Sequence, residues 1–158
     1  MIRNATMADI KEIYALLSQF AAQGKLLGRS LSSLYDQLRD FKVFMAPDPA
    51  DASGRTEVLV GSAALHVCWE NLAEIRSLAV LERFQGQDIG TKLVRACLEE
   101  AEILRISKVF TLTYQPGFFK KLGFREIDKN ELPHKVWSDC INCPKFPDCN
   151  EIAMVWEK

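Results

Sequence analysis

The residues with the clearest capacity for chemistry are Arg83-Phe84-Gln85-Gly86-Gln87-Asp88-Ile89-Gly90-Thr91, a glycine-containing turn leading from an apolar stretch straight into an amphipathic helix. The first amides of a helix have no partner within it, and the aligned peptide dipoles add partial positive charge there, so such a turn can receive a pyrophosphate. Upstream, Glu74 and Arg76 are two positions apart on an expected strand and therefore share one face. Arg29, after a Leu-Leu pair, and Lys135, after Leu132-Pro133, are cations on expected connections, and Tyr114 places a phenol at a strand end. A third set is Cys140-x2-Cys143-x5-Cys149, with His134 nearby. Its first pair has zinc-knuckle spacing, but a complete structural zinc site usually shows two such pairs, so reduced thiols are favoured over zinc.

The elements that must position these groups follow from periodicity and punctuation. Thr6 is expected to cap a helix starting near Met7, with Ile10, Ile13, Tyr14, Leu17 and Phe20 at helical spacing. Leu31, Leu34, Tyr35 and Leu38 mark a second short helix from about Ser30. Phe41 to Met45 reads as a strand, residues 47–54 as a turn rich in proline, aspartate and glycine, and Val58 to Trp69 as the returning strand. Residues 73–80 continue as a strand. The helix after the glycine turn repeats Leu93, Cys97, Ala101 and Leu104 on one face. Val109 to Tyr114 is the next strand, Phe118 to Leu122 a short helix closed by Gly123, and Phe124 to Ile127 and Glu151 to Trp156 are closing strands. This order predicts an α+β, three-layer sandwich with a mixed central sheet flanked by helices.

A length of 158 residues suits a single domain over 1–158 that buries a core without disulfides. Lys and Arg total 20 against 21 Asp and Glu, a net charge of -1, and no basic run is interleaved with aromatics; nucleic acid is not the expected partner. No apolar run approaches a membrane span and the N-terminus carries no signal core, so the expected address is the cytoplasm. An odd five cysteines argue against a secreted disulfide scaffold. Cys68 and Cys97 read as core residues and His66 as structural. An exposed closing strand at 151–156 offers an edge through which a homodimer could form.

Gln85-x-x-Asp88-x-Gly90 resembles the Gln/Arg-x-x-Gly-x-Gly/Ala loop of the GNAT acetyltransferase superfamily, with Asp88 in the middle glycine position. Phe119-Lys120-Lys121-Leu122-Gly123-Phe124, one strand and one helix later, is similar to that superfamily's aromatic-x-x-Leu-Gly-Phe element. The resemblance implies the GNAT fold with acetyl-CoA as co-substrate. Its pyrophosphate would lie on the amides of Gln85, Gly86, Gln87, Asp88, Ile89, Gly90 and Thr91, and its pantetheine against Leu78, Ala79, Val80 and Phe119. Asp88 brings a carboxylate to an anion site; the favoured reading is that its side chain caps the helix and points away from the ligand.

Lys25-Leu26-Leu27-Gly28-Arg29-Ser30, Glu74-Ile75-Arg76-Ser77-Leu78-Ala79-Val80 and Leu132-Pro133-His134-Lys135-Val136-Trp137 narrow the resemblance to amino-acid N-acetyltransferases that make N-acetylglutamate. Similarity to their short, stand-alone form covers nearly the whole chain, without the amino-acid-kinase domain of the longer form. The implied reaction is direct transfer of acetyl to the α-amine of L-glutamate, the first step of arginine biosynthesis. Arg29, Arg76 and Lys135 are then expected to bind the small amino-acid substrate through its carboxylates. Glu74 is expected to take the ammonium proton directly or through one water, although a structural ion pair with Arg76 would explain it as well. Many superfamily members protonate the leaving thiolate with a tyrosine where this chain has Phe119, which leaves Tyr114 as the nearby phenol. Alternatives are the same chemistry on another small amine or a peptide N-terminus, or a non-catalytic acetyl-CoA- or zinc-binding module.

Overall fold

The computed structural model describes residues 1–133 and 151–158. Its strands are β1 (Ile2–Asn4), β2 (Phe41–Pro47), β3 (Glu57–Trp69), β4 (Leu72–Val80), β5 (Lys108–Thr113), β6 (Arg125–Ile127) and β7 (Ile152–Glu157). The helices are α1 (Ile10–Ala22), α2 (Leu31–Asp36), α3 (Ile89–Ile103) and α4 (Pro116–Lys120). The strands form one mixed sheet in the order β1-β2-β3-β4-β5-β7-β6. All neighbours run antiparallel except β4 and β5.

Helices cover both faces. On one, Leu93, Val94, Cys97 and Ala101 of α3 pack on Val60, Leu65, Ala73 and Ile75 of the sheet. On the other, Ile10, Ile13 and Leu17 of α1 and Leu34 of α2 pack on Val43, Leu59 and Ala64. Most of these lie on the apolar stripes that the helical spacing marks, and their burial drives the layering; Tyr14, Tyr35 and Leu104, expected on the same stripes, are 39%, 39% and 50% exposed. Gly61 lets α3 approach: a Cβ there would lie 3.1 Å from Leu93 Cδ1 and 3.3 Å from Ile89 Cγ2.

Four features differ from expectation. Strand β1 is not signalled by its three residues and exists through pairing with β2, Ile2 opposite Phe44 and Asn4 opposite Lys42. The first helix opens with a 3-10 turn at Met7–Asp9 before α1 begins. There the Asp9 carboxylate accepts from the Thr6 amide at 2.7 Å and forms an ion pair with Arg3 at 2.7 Å, anchoring α1 to β1. The closing strand β7 is not an exposed edge, because β5 flanks it on one side and β6 on the other; the argument for a dimer through that strand falls. Asp88, expected to cap α3 with its side chain, does not do so, as described below.

Two irregularities in β4 shape the molecule. Its ladder with β5 ends at Glu74 opposite Phe110, after which the two strands diverge. At the divergence the buried Thr111 hydroxyl donates to the Ile75 carbonyl at 2.9 Å, standing in for the lost backbone pairing. Ser77 then adopts φ 55, and two β4 residues, Ser77 and Leu78, between the pairs Arg76–Ala64 and Ala79–Ser62, answer one on β3, Ala63. This bulge is held by the buried Ser62 hydroxyl, which donates to the Ser77 carbonyl at 3.0 Å. An extra residue inverts the alternation. Hence Ala73 and Ile75 face α3 before the bulge, Leu78 and Val80 pack on that same side after it, and Ala79 joins the α1/α2 side.

Candidate active site

The divergence of β4 from β5 opens a cavity of about 640 Å³. It passes through the sheet, because its lining includes Gly90, Thr91 and Phe118 from the α3 side and Phe20, Leu26 and Arg29 from the α1/α2 side. A passage of this form lets two reactants enter from opposite faces and meet at the strand ends.

On the α3 side the wall is the turn between β4 and α3. Phe84 and Ile89, 9% and 4% exposed, are seated in the core and pin the turn at both ends. Gln85 ties it to the strand, its side-chain amide donating to the Val80 carbonyl at 3.1 Å. Between them Gly86 takes φ 83 with nothing within 4 Å of a Cβ position, and Asp88 takes φ 62. Left-handed residues that curl a chain in this way make anion-binding concavities, and the open side of Gly86 leaves room for a ligand to approach the backbone. Gly90, in the first turn of α3, lies close to the Phe118 ring, 3.4 Å from where its Cβ would lie.

Asp88 is the residue the structure reinterprets. Its carbonyl accepts the first helical bond, from the Lys92 amide at 3.0 Å, yet its exposed side chain takes no capping hydrogen bond. It holds the left-handed conformation that glycine holds in the resembling loop, a role for which aspartate is one of the few suitable non-glycine residues.

The expected site residues converge. Leu78, Ala79 and Val80 of β4 line the cavity with Gln85, Gly86, Asp88, Ile89, Gly90 and Thr91 of the turn and helix start. Glu74, Arg76, Arg29, Tyr114 and Phe119 line it too. Gln87 belongs to the same turn but is not part of the lining, and Lys135 lies outside the described residues, as do His134, Cys140, Cys143 and Cys149. Among the described residues no group of three or more His, Cys, Asp and Glu side chains could hold a metal ion.

Glu74 and Arg76 project to the α1/α2 side, as alternation requires. Their side chains are 13% and 8% exposed, with Arg76 Nη1 3.6 Å from Glu74 Oε1. The ion pair foreseen for them therefore forms at a distance beyond a good hydrogen bond. Arg76 Nη2 donates to Gln37 Oε1 at 2.8 Å, a contact with the end of α2 that no local pattern announces. Directly across from Glu74 in the β3 register is His66, whose Nδ1 lies 2.7 Å from Asp40 Oδ2. Phe119 is buried at 3% and packs edge-on against Phe118 and Phe124, with centroids 5.0 and 5.1 Å away, so it offers the cavity an apolar wall and no proton. Cys97 is buried among apolar neighbours, which pushes its thiol up to about 12 and keeps it protonated.

The site therefore combines a backbone cradle suited to phosphate, a splayed strand lining the passage, and a carboxylate beside guanidinium groups on the far side. Comparison with known proteins gives this arrangement a family. The model of the acetyltransferase (GNAT) family matches residues 11–124. An uncharacterised N-acetyltransferase of Chlorobaculum tepidum is 41% identical over 98% of this chain and 94% of its own. The amino-acid acetyltransferase of Mycobacterium tuberculosis is 35% identical over 88% of this chain and 76% of its own. Among solved structures, N-acetylglutamate synthase of Neisseria gonorrhoeae complexed with coenzyme A and N-acetyl-glutamate matches with a TM-score of 0.83 at 28% identity. That match covers 99% of this chain and 34% of the longer one. A Mycobacterium tuberculosis protein solved in complex with CoA matches with a TM-score of 0.81 at 29% identity, over 100% of this chain and 99% of its own. The chain belongs to the GNAT family and is an acetyl-CoA-dependent N-acetyltransferase close to the amino-acid acetyltransferases.

Proposed function

We propose that this enzyme acetylates the α-amine of L-glutamate, the first step of arginine biosynthesis, in the cytoplasm, as one domain spanning residues 1–158. The observation that carries the reading is the make-up of the cavity on the α1/α2 side. Arg29 and Arg76 bring two guanidinium groups to the cavity lining that also holds Glu74, with Phe20, Leu26 and Leu27 beside them. An amino acid with two carboxylates is the small acceptor whose charges match two such forks, while the apolar residues suit its methylenes. The names of the relatives, amino-acid acetyltransferases and an N-acetylglutamate synthase, support the same acceptor.

In this reading the turn from Gln85 to Thr91 holds the pyrophosphate of acetyl-CoA, and Leu78, Ala79, Val80 and Phe119 hold its pantetheine. The bound thioester supplies an activated acetyl group. Arg29 and Arg76 orient the acceptor through its carboxylates, with Lys135 assigned to the same task from the sequence. Glu74 accepts the proton that must leave the ammonium before the amine can attack, directly or through one water. Its distance of 3.6 Å from Arg76 leaves it paired without a close hydrogen bond to that guanidinium. Tyr114, at the end of β5, is the proposed proton donor to the departing sulfur. Holding amine and thioester in line at the splay is expected to supply most of the acceleration.

The test is Arg29→Gln in steady-state kinetics. Loss of one charge-assisted carboxylate contact is expected to raise KM for L-glutamate by roughly 10-fold or more, leaving KM for acetyl-CoA within about twofold. An unchanged KM for glutamate would contradict the reading.

A further inference from the structure

Acetylation of an ammonium by a thioester releases one proton net when the sulfur leaves as a thiol. A base that takes this proton must give it up before the next turnover, so a base largely screened from water needs an outlet. Glu74 is such a group, its side chain 13% exposed. Its neighbours in the sheet narrow the choice. Along β4 the residues on the same face are Leu72 and Arg76. Across on β5 stands Phe110, and across on β3 stands His66. Leucine and phenylalanine exchange no proton, and a guanidinium keeps its own. Among these four neighbours, imidazole alone both accepts and releases a proton near neutral pH.

We propose that His66, held in place by Asp40, is the outlet through which the proton taken by Glu74 reaches solvent. The proposal rests on the reading that Glu74 is the base. His66 is not part of the cavity lining, so it touches no reactant and acts through Glu74.

Three features of the geometry support this. The first is register: side chains directly opposite on an antiparallel pair stand about 5 Å apart at Cβ, a gap that a carboxyl and an imidazole span directly or through one water. The second is the ring's own hydrogen bond, from Nδ1 to Asp40 Oδ2 at 2.7 Å. A carboxylate only accepts, so Nδ1 carries the hydrogen and Nε2 of the neutral ring is left as the proton acceptor. Asp40 is itself fixed, its amide donating to the Gln37 carbonyl at 2.9 Å and its neighbour Phe41 buried opposite Ala64, two residues before His66. The third is the gradient of exposure, from 13% at Glu74 to 32% at His66, which puts the imidazole between the carboxyl and water.

The step balances without a further reactant. The O–H bond of protonated Glu74 breaks as the Nε2–H bond of His66 forms, leaving carboxylate and imidazolium. The imidazolium then gives the same proton to water or a buffer base, and both side chains return to their starting states.

The experiment is steady-state acetyl transfer from acetyl-CoA to L-glutamate by the full chain and by His66→Asn and Glu74→Gln, in dilute buffer, with and without imidazole at constant ionic strength. Formation of N-acetylglutamate is followed by mass. Asparagine keeps a donor near the place of Nδ1 but has nothing that titrates in place of Nε2. The proposal predicts kcat lowered roughly 10-fold or more in His66→Asn, KM for acetyl-CoA within about twofold, and imidazole restoring kcat to within about threefold of the parent. A role confined to holding Asp40 predicts no such restoration, because imidazole in solution carries protons but anchors no turn. The proposal is overturned if His66→Asn keeps the parent's kcat, or if its kcat falls and imidazole does not restore it. It is overturned too if imidazole restores Glu74→Gln to the same extent, since imidazole would then be replacing the base and not its outlet. An undiminished kcat in Glu74→Gln would instead remove the reading of Glu74 as the base, and the proposal with it.

Discussion

Asp88 offers the sharpest test of the loop, because the two accounts of it predict opposite rank orders. At φ 62 and ψ 17 it is left-handed, its side chain makes no capping bond, and it is exposed. That conformation costs an ordinary L-residue roughly 1 kcal/mol or more, aspartate somewhat less and glycine nothing. Glycine gives back about 0.5–1 kcal/mol through the greater freedom of its unfolded chain. Asp88→Gly should therefore be as stable as the parent or up to about 1 kcal/mol better, which is at most about 4 °C in Tm for a chain of this size. Asp88→Ser, a good cap but a poor left-handed residue, should lose about 1 kcal/mol. A side-chain cap would give the reverse, with serine equal to aspartate and glycine below both.

The charge adds a second readout. Removing a carboxylate about 8 Å from a phosphate, at an effective dielectric constant of about 40, is worth about 1 kcal/mol, or roughly fivefold in affinity. Calorimetric titration with coenzyme A should show Asp88→Gly binding tighter at low salt, with the advantage shrinking as ionic strength rises. A glycine variant more than about 1 kcal/mol less stable than the parent, together with a serine variant equal to it, would refute the reasoning.

Glu74→Gln keeps the side chain's shape but removes its basicity, and kcat is expected to fall by about 100-fold or more while KM for acetyl-CoA holds; a kcat within about threefold of the parent would remove Glu74 from the proton path. Gly61→Ala puts a Cβ 3.1 Å from Leu93 Cδ1 and 3.3 Å from the Ala79 carbonyl, so thermal melts should show a loss of about 1–2 kcal/mol and coenzyme A should bind less tightly as α3 lifts from the sheet. Gly90→Ala meets Phe118 only at an ordinary 3.4 Å and should melt close to the parent. The hydrogen bond from Arg3 holds the Asp9 carboxyl at about 2, below its ordinary 3.8, so the stability it contributes is present above pH 4 and disappears as pH falls toward 2. With Arg3 one-third exposed that contribution is about 1 kcal/mol, and Asp9→Asn should flatten the acid limb of a stability–pH curve over that interval.

What could be read from the residues in order was whatever local physics decides. The turn from Gln85 to Gly90, most of the apolar stripe of α3 and the start of α2 near Ser30, where the Ser30 hydroxyl accepts from the Ser33 amide at 3.1 Å, all depend on neighbours a few positions away. The pairing of Glu74 with Arg76 followed from alternation alone. What escaped depends on partners far along the chain. Nothing in Glu74 to Val80 announces a bulge at Ser77, because the hydroxyl holding it belongs to Ser62 and the one holding the splay to Thr111. Gln37 is 39 positions from Arg76, and β1 is defined by a strand some forty residues on. The placing of β7 between β5 and β6 is likewise a property of the sheet, which removed an edge that the last strand alone suggested. Asp88 shows a different limit: the loop pattern put it at a glycine position, but aspartate before a helix reads as a cap, and only the backbone angle reveals that it takes the glycine's left-handed conformation.

The account's central claim, that two arginines and a carboxylate select a dicarboxylic amino acid at the splay, is tested most directly by acetyl transfer from acetyl-CoA across a panel of acceptors. CoA release and product mass would be followed for L-glutamate, L-aspartate, L-glutamine, L-lysine and a peptide N-terminus. N-acetylglutamate should form with kcat/KM at least about 10-fold above that for the lysine and peptide acceptors. Turnover of the peptide or of lysine at rates equal to or above glutamate would contradict it.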